Sequence, residues 1–185
     1  MGEEMAEQQL QMVWPKRLLK SPPEVVVAEG YALRVFEPGD EFQYVEVTRA
    51  AGFENWDLEK LRKIQAGCLP DGLFVVEHLE SGRLAATALA QRNPDALHPE
   101  GGELGWVAAR PEHGGRGLGL AVCAAATKRF LEDEFEDIYL KTDDWRLAAL
   151  KVYLKLGYEP FLFAPDMKRR WAEVCGKLGR EWDWE

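Results

Sequence analysis

The chain has 185 residues, 46% hydrophobic and 30% charged, with 32 acidic against 23 basic side chains and a formal net charge of -9. That length suits one domain with a real core, and the acidity is a poor match to nucleic acid, whose binding rests on neutralised phosphates, but a fair one to a cationic small molecule. No run approaches the ~18 consecutive apolar residues of a membrane span, residues 1–9 lack the pattern of a secretory signal, and the scattered Cys68, Cys123 and Cys175 form neither a disulfide framework nor a zinc motif, which predicts a cytoplasmic protein.

In chain order, residues 1–9 read as a polar tail. Residues 10–29 read as an arm across the domain, with Leu10, Val13, Trp14 and Leu18 packed on it and an edge strand at residues 25–27. Residues 31–36 alternate like a strand. Asp40 is positioned to cap a helix carrying Phe42, Val45 and Arg49, and a second helix at residues 57–65 carries Leu58, Leu61 and Ile64 on one face. A turn at Pro70-Asp71-Gly72 leads to a hairpin of residues 73–79 and 83–91, joined through Ser81-Gly82. A loop over residues 93–102, a strand over 103–110 and a Gly-rich loop then precede a helix at 118–134. Strand 138–141, helix 146–156 closed by Gly157, strand 158–163 and helix 166–178 complete the chain. Strand–helix–strand alternation predicts an α/β fold, with a partly parallel sheet under helices.

The most informative stretch runs from Glu103 to Gly119, where a strand enters a loop holding Gly114, Gly115, Gly117 and Gly119 and a helix leaves it. Glycines let successive backbone N–H groups face one concavity, and a helix N-terminus adds free donors and partial positive charge. Such a loop suits phosphate, with Arg116 as an added cation. The phosphate loop of ATPases is excluded by the missing Gly-Lys-Ser/Thr ending, and the nicotinamide fingerprint by the missing acidic residue of an ordinary strand–helix–strand unit.

Residues 114–119, Gly-Gly-Arg-Gly-Leu-Gly, resemble the coenzyme A loop of the GNAT superfamily, Arg/Gln-x-x-Gly-x-Gly/Ala, except that Gly114 stands at the Arg/Gln position. Residues 140–158 resemble the same family's strand, helix and Tyr-x-x-x-Gly-Phe/Tyr segment, here Tyr153 to Gly157-Tyr158. The resemblance covers roughly residues 30–163. It implies a GNAT fold over residues 30–185, a mixed central sheet with splayed strands flanked by helices and ending in a C-terminal helix. It also implies an N-acetyltransferase that moves an acetyl group from acetyl-coenzyme A to a primary amine, on a small molecule or a peptide.

By this resemblance Gly114, Gly115, Arg116, Gly117, Leu118 and Gly119 hold the pyrophosphate, while Trp106, Val107 and Ala108 offer backbone groups to the pantetheine arm and the thioester. Tyr153 matches the general acid, a phenol protonated at neutral pH. Arg146 stands where the family often has an asparagine, seven positions before that tyrosine. It is expected to meet a phosphate or Asp143, or to be a solvated helix residue. The amine must be neutral to attack, and Glu103 is the best candidate to take its proton through water. Asp143 or Asp144 reads as a helix cap, His78 as structural and His98 as within reach of the acceptor. Trp56 is a candidate wall of the acceptor pocket. The three histidines are too scattered for a metal site. Cys123 lies inside a helix, which points away from an acetyl-cysteine intermediate. A non-catalytic acyl-coenzyme A sensor, a longer acyl donor, and a monomer or homodimer all remain open at this level.

Overall fold

The protein is described by a computed structural model covering residues 8–181; most of the expected polar tail, residues 1–7, lies outside the described residues. In chain order the elements are β1 (Leu10–Val13), β2 (Tyr31–Val35), α1 (Glu41–Ala50), α2 (Leu58–Gln65), β3 (Cys68–His78), β4 (Arg83–Arg92) and β5 (Gly102–Ala109). There follow α3 (Leu118–Glu132), β6 (Ile138–Thr142), α4 (Leu147–Leu156), β7 (Glu159–Pro160) and α5 (Met167–Lys177). The seven strands form one sheet in the order β2-β3-β4-β5-β6-β1-β7. Only the β5–β6 pair is parallel; the other adjacent pairs are antiparallel.

Alternation along β3 divides the core in two. Phe74 and Val76 face one cluster with α3, α4 and α5, whereas Leu73 and Val75 face a second with α1 and α2. Successive side chains of a strand point to opposite faces, so a sheet covered by helices on both sides needs this nearly continuous apolar run.

Residues 10–13, part of the expected arm, form a strand of the sheet. They pair with β6 from Leu10↔Thr142 to Val13↔Tyr139 and with β7 at Met12↔Pro160 and Val13↔Glu159. Leu10 and Met12 are fully buried, and Trp14 packs edge-on against Tyr158. Leu10→Ala is therefore expected to cost about 2 kcal/mol or more of stability, read as a lower denaturant midpoint; an unchanged midpoint would separate β1 from the fold.

Several local expectations change. Residues 25–27 form no strand, and Val26 is exposed. The final strand shrinks to Glu159–Pro160, although the Phe161 N–H still donates to the Gln11 carbonyl at 2.9 Å. Asp40 sits at the start of α1, but its carboxylate takes Arg34 Nη1 at 2.6 Å, Arg34 Nη2 at 2.9 Å and the Glu37 N–H, and caps nothing in the helix. The inward face of α1 is Tyr44, Val45, Val47 and Thr48, and Phe42 points to solvent. Asp57 does cap α2, accepting the Lys60 N–H at 2.8 Å. The Pro70-Asp71-Gly72 turn is an irregularity within β3, where the register with β4 shifts between Cys68 and Leu73.

Candidate active site

The site opens where the sheet comes apart. β5 and β6 pair only at Gly102↔Ile138 and Glu103↔Tyr139 and then separate. On its other side β5 pairs with β4 at Gly105↔Leu89 and resumes at Ala108↔Thr87, leaving Trp106 and Val107 opposite Ala88 as a bulge. Trp106 has φ 48°, a left-handed conformation that a non-glycine residue rarely adopts and that often marks functional backbone. The backbone of Trp106 and Val107 thus has no register partner on either neighbouring strand. Below them lies a cavity of about 300 Å³ whose walls include Glu103, Trp106, Val107, Asp143, Arg146 and Tyr153.

Glu103 is held from one side. Its Oε2 accepts Gln91 Nε2 at 2.9 Å and Asn93 Nδ2 at 2.6 Å, and both amides belong to the end of β4 and the residue after it. Oε1 has no protein partner among the described residues. α4 adds Tyr153 to the walls of the same cavity, and that residue is only 6% exposed. Burial pushes its phenol well above the usual value, the neighbouring Cys123 adds to the rise, and Arg146 opposes it. Its hydroxyl makes no hydrogen bond within the protein among the described residues. A buried phenol of this kind stays protonated through neutral pH and keeps its proton available to a substrate atom.

Beyond β5, a short 3-10 turn at Pro111–His113 leads into the Gly-rich loop. Gly115 has φ 77° and Gly117 φ 75°, and a Cβ at either would meet nothing within 4 Å, so the loop borders open space. Positive φ at two closely spaced positions explains why glycine stands there. The first bond of α3 runs from the Ala121 N–H to the Gly117 carbonyl at 3.0 Å. The N–H groups of Leu118, Gly119 and Leu120 therefore have no partner within the helix. Gly114 bonds back to Pro111 and closes the turn. Arg116 folds over the loop, donating to the carbonyls of Glu112 at 3.2 Å and Gly114 at 3.3 Å. α3 begins next to α4, since a Cβ on Gly119 would lie 3.9 Å from Val152, the neighbour of Tyr153.

Arg146 lines the cavity and pairs with Asp143, Nε to Oδ2 at 3.1 Å. Neither Asp143 nor Asp144 caps α4 through its side chain: Asp143 also accepts Gln9 Nε2, and Asp144 takes the buried Arg170 from α5. Ala108 is buried, paired with Thr87 and outside the cavity walls. His98 does not reach the cavity; it is 2% exposed, stacked on Tyr139 at 3.9 Å, with its ring nitrogens on Asp137 and Gln11. It locks the loop after β4 to β1. His78 lies against His113 and Ser81 at the far end of β3. Trp56 is buried behind Trp106 in the second core, so the aromatic walls are Trp106 and Phe53 instead. Gln91, Asn93 and Phe53 were not expected from the sequence. The only signal for the first two is the polar Gln-Arg-Asn run that ends an otherwise apolar strand.

No cysteine lines the cavity. Burial pushes the thiols of Cys123 and Cys175 up, and that of Cys68 to about 11, so all three are poor nucleophiles at neutral pH. Among the described residues no group of three or more His, Cys, Asp or Glu side chains is arranged to hold a metal ion.

A mycothiol acetyltransferase of Thermomonospora curvata is 32% identical over 166 residues, covering 85% of this chain and 54% of the relative. One from Paenarthrobacter aurescens is 30% identical, covering 79% and 49%. The chain thus spans about half the length of the curated relatives it matches. A GCN5-related N-acetyltransferase from Sphaerobacter thermophilus superposes with a TM-score of 0.66 at 22% identity, over 84% of this chain and 50% of that one, and shares the fold. Residues 40–158, which hold both the Gly-rich loop and Tyr153, match the family model described as Acetyltransferase (GNAT) family, and the chain belongs to that family.

Proposed function

We propose that the protein transfers the acetyl group of acetyl-coenzyme A to the primary amine of a small molecule by direct attack. The observation that carries this reading is the cavity where β5 and β6 separate, lined by both the half-held carboxylate of Glu103 and the free phenol of Tyr153. The relatives named as mycothiol acetyltransferases support acyl transfer to a small molecule.

The residues fit the donor. The open concavity at Gly115 and Gly117 and the unpaired N–H groups opening α3 suit a pyrophosphate, and Arg116 braces the loop around it. The N–H groups of Trp106 and Val107, freed by the bulge, suit the thioester carbonyl and the oxyanion that forms on it. The acceptor arrives as an ammonium and gives a proton through water to Glu103 Oε1. Its lone pair then attacks the carbonyl carbon, and the tetrahedral adduct expels the thiolate, which takes the Tyr153 proton, while the nitrogen gives up its second proton through water to the Tyr153 phenolate, leaving a neutral amide. Lys141 is matched by Asp95 at 2.9 Å and Arg146 by Asp143, so Glu103 is left as the unbalanced charge and favours a cationic acceptor. No helix of the described residues is long and apolar enough to cross a membrane, and a reducing cytoplasm suits the three free thiols.

Glu103→Gln tests the base. At neutral pH kcat/KM for the amine is expected to fall by about 10²-fold, and the deficit should shrink as pH rises toward the amine's own pKa, where free amine needs no base. A deficit independent of pH would remove Glu103 from this role.

A further inference from the structure

Arg146 carries more than its salt bridge. Its guanidinium carbon lies 4.3 Å from the centre of the Phe53 ring and 4.4 Å from that of Trp145. Phe53, a wall of the cavity, belongs to the α1–α2 connection and the exposed Trp145 to the β6–α4 connection, so one cation joins the two connections. Nε is fixed on Asp143, whose other oxygen accepts Gln9 at 2.9 Å. Two aromatic rings and a carboxylate hold the guanidinium, and its side chain is only 20% exposed. Nη1 and Nη2 make no hydrogen bond among the described residues. The rings touch the guanidinium at its carbon, and the Nε bond uses one edge of the planar group. The edge that remains presents two parallel N–H donors, the arrangement that matches a carboxylate.

We infer that Arg146 binds a carboxylate of the acceptor, and that the acceptor is a small zwitterion, an amino acid, with its ammonium at Glu103. Both residues wall the same cavity from opposite sides of the opening in the sheet. An arginine there selects among amines, because an acceptor lacking the carboxylate forgoes a charge-assisted pair with two donors that have no partner among the described residues. The inference rests on the acetyl-transfer reading above.

The test compares a panel of free L-amino acids with their carboxamides under saturating acetyl-coenzyme A, for the parent, Arg146→Gln and Arg146→Lys. The parent should favour the acid over its amide in kcat/KM by about tenfold or more, as a charged hydrogen-bonded pair warrants. In Arg146→Gln the ratio should collapse toward one, in Arg146→Lys it should be partly kept, and KM for acetyl-coenzyme A should stay near the parent's. Melting temperatures confirm that both variants fold. The inference is overturned if the parent uses amides as well as acids, or if Arg146→Gln loses both alike, which is the signature of a brace between loops. It is equally overturned if KM for acetyl-coenzyme A rises with the ratio unchanged, which would place the arginine on the pantetheine arm. A parent that acetylates other amines but no amino acid overturns this inference alone; one that binds acetyl-coenzyme A and acetylates nothing overturns the reading beneath it as well.

Discussion

Tyr153→Phe is expected to lower turnover by ~10²–10⁴ while KM for acetyl-coenzyme A hardly changes, since general-acid catalysis contributes about that much. In barrier terms this is roughly 3–5 kcal/mol. The fold should be indifferent to the change. The ring keeps its edge-on contact with Tyr158, centroids 6.5 Å apart, and the lost hydroxyl has no hydrogen bond within the protein to forfeit among the described residues. Because burial raises the phenol well above its ordinary value, the parent should show no loss of activity from Tyr153 ionising up to pH about 10, where a free tyrosine would have titrated. Turnover of the variant within twofold of the parent, with chemistry limiting, would assign the proton to water or another group.

Gly117→Leu is expected to abolish the rise in melting temperature that acetyl-coenzyme A gives the parent. At a ligand concentration one hundred times Kd that rise corresponds to about 2.7 kcal/mol. Gly117 has φ 75° at the start of α3, and the space its Cβ would enter is open in the protein alone. The substitution therefore strains the backbone by roughly 1–2 kcal/mol, with no neighbour to displace, and places a side chain where the phosphates would lie. The variant should remain folded and unresponsive. An undiminished shift would move the donor away from this loop.

Local signals carried most of this molecule. The β3–β4 hairpin, the Gly-rich loop ahead of α3 and the closure of α4 at Gly157 (φ 121°) each follow from turn residues and periodicity within a short window. The features that escaped depend on distant partners. β1 is only four residues long, and nothing near it announces that β6 and β7 will enclose it. The bulge that frees the backbone of Trp106 needs a left-handed tryptophan, which no propensity favours. Glu103 was visible as a strand carboxylate, but the amides of Gln91 and Asn93 that hold it come from across the β4–β5 pairing. His98 reads as a loop histidine, yet β1 and Asp137 bury it. The contact of Arg146 with Phe53 likewise joins residues far apart in the chain.

Acetyl transfer itself is tested most directly by incubating the protein with acetyl-coenzyme A and a broad panel of small amines, following free thiol release together with the mass of the acetylated product. The account predicts one thiol released per N-acetyl product, with at least one amine turned over by the parent and both signals lost together in Tyr153→Phe. Saturable binding of acetyl-coenzyme A with no acetylated product from any amine would contradict it and make the protein an acyl-coenzyme A sensor.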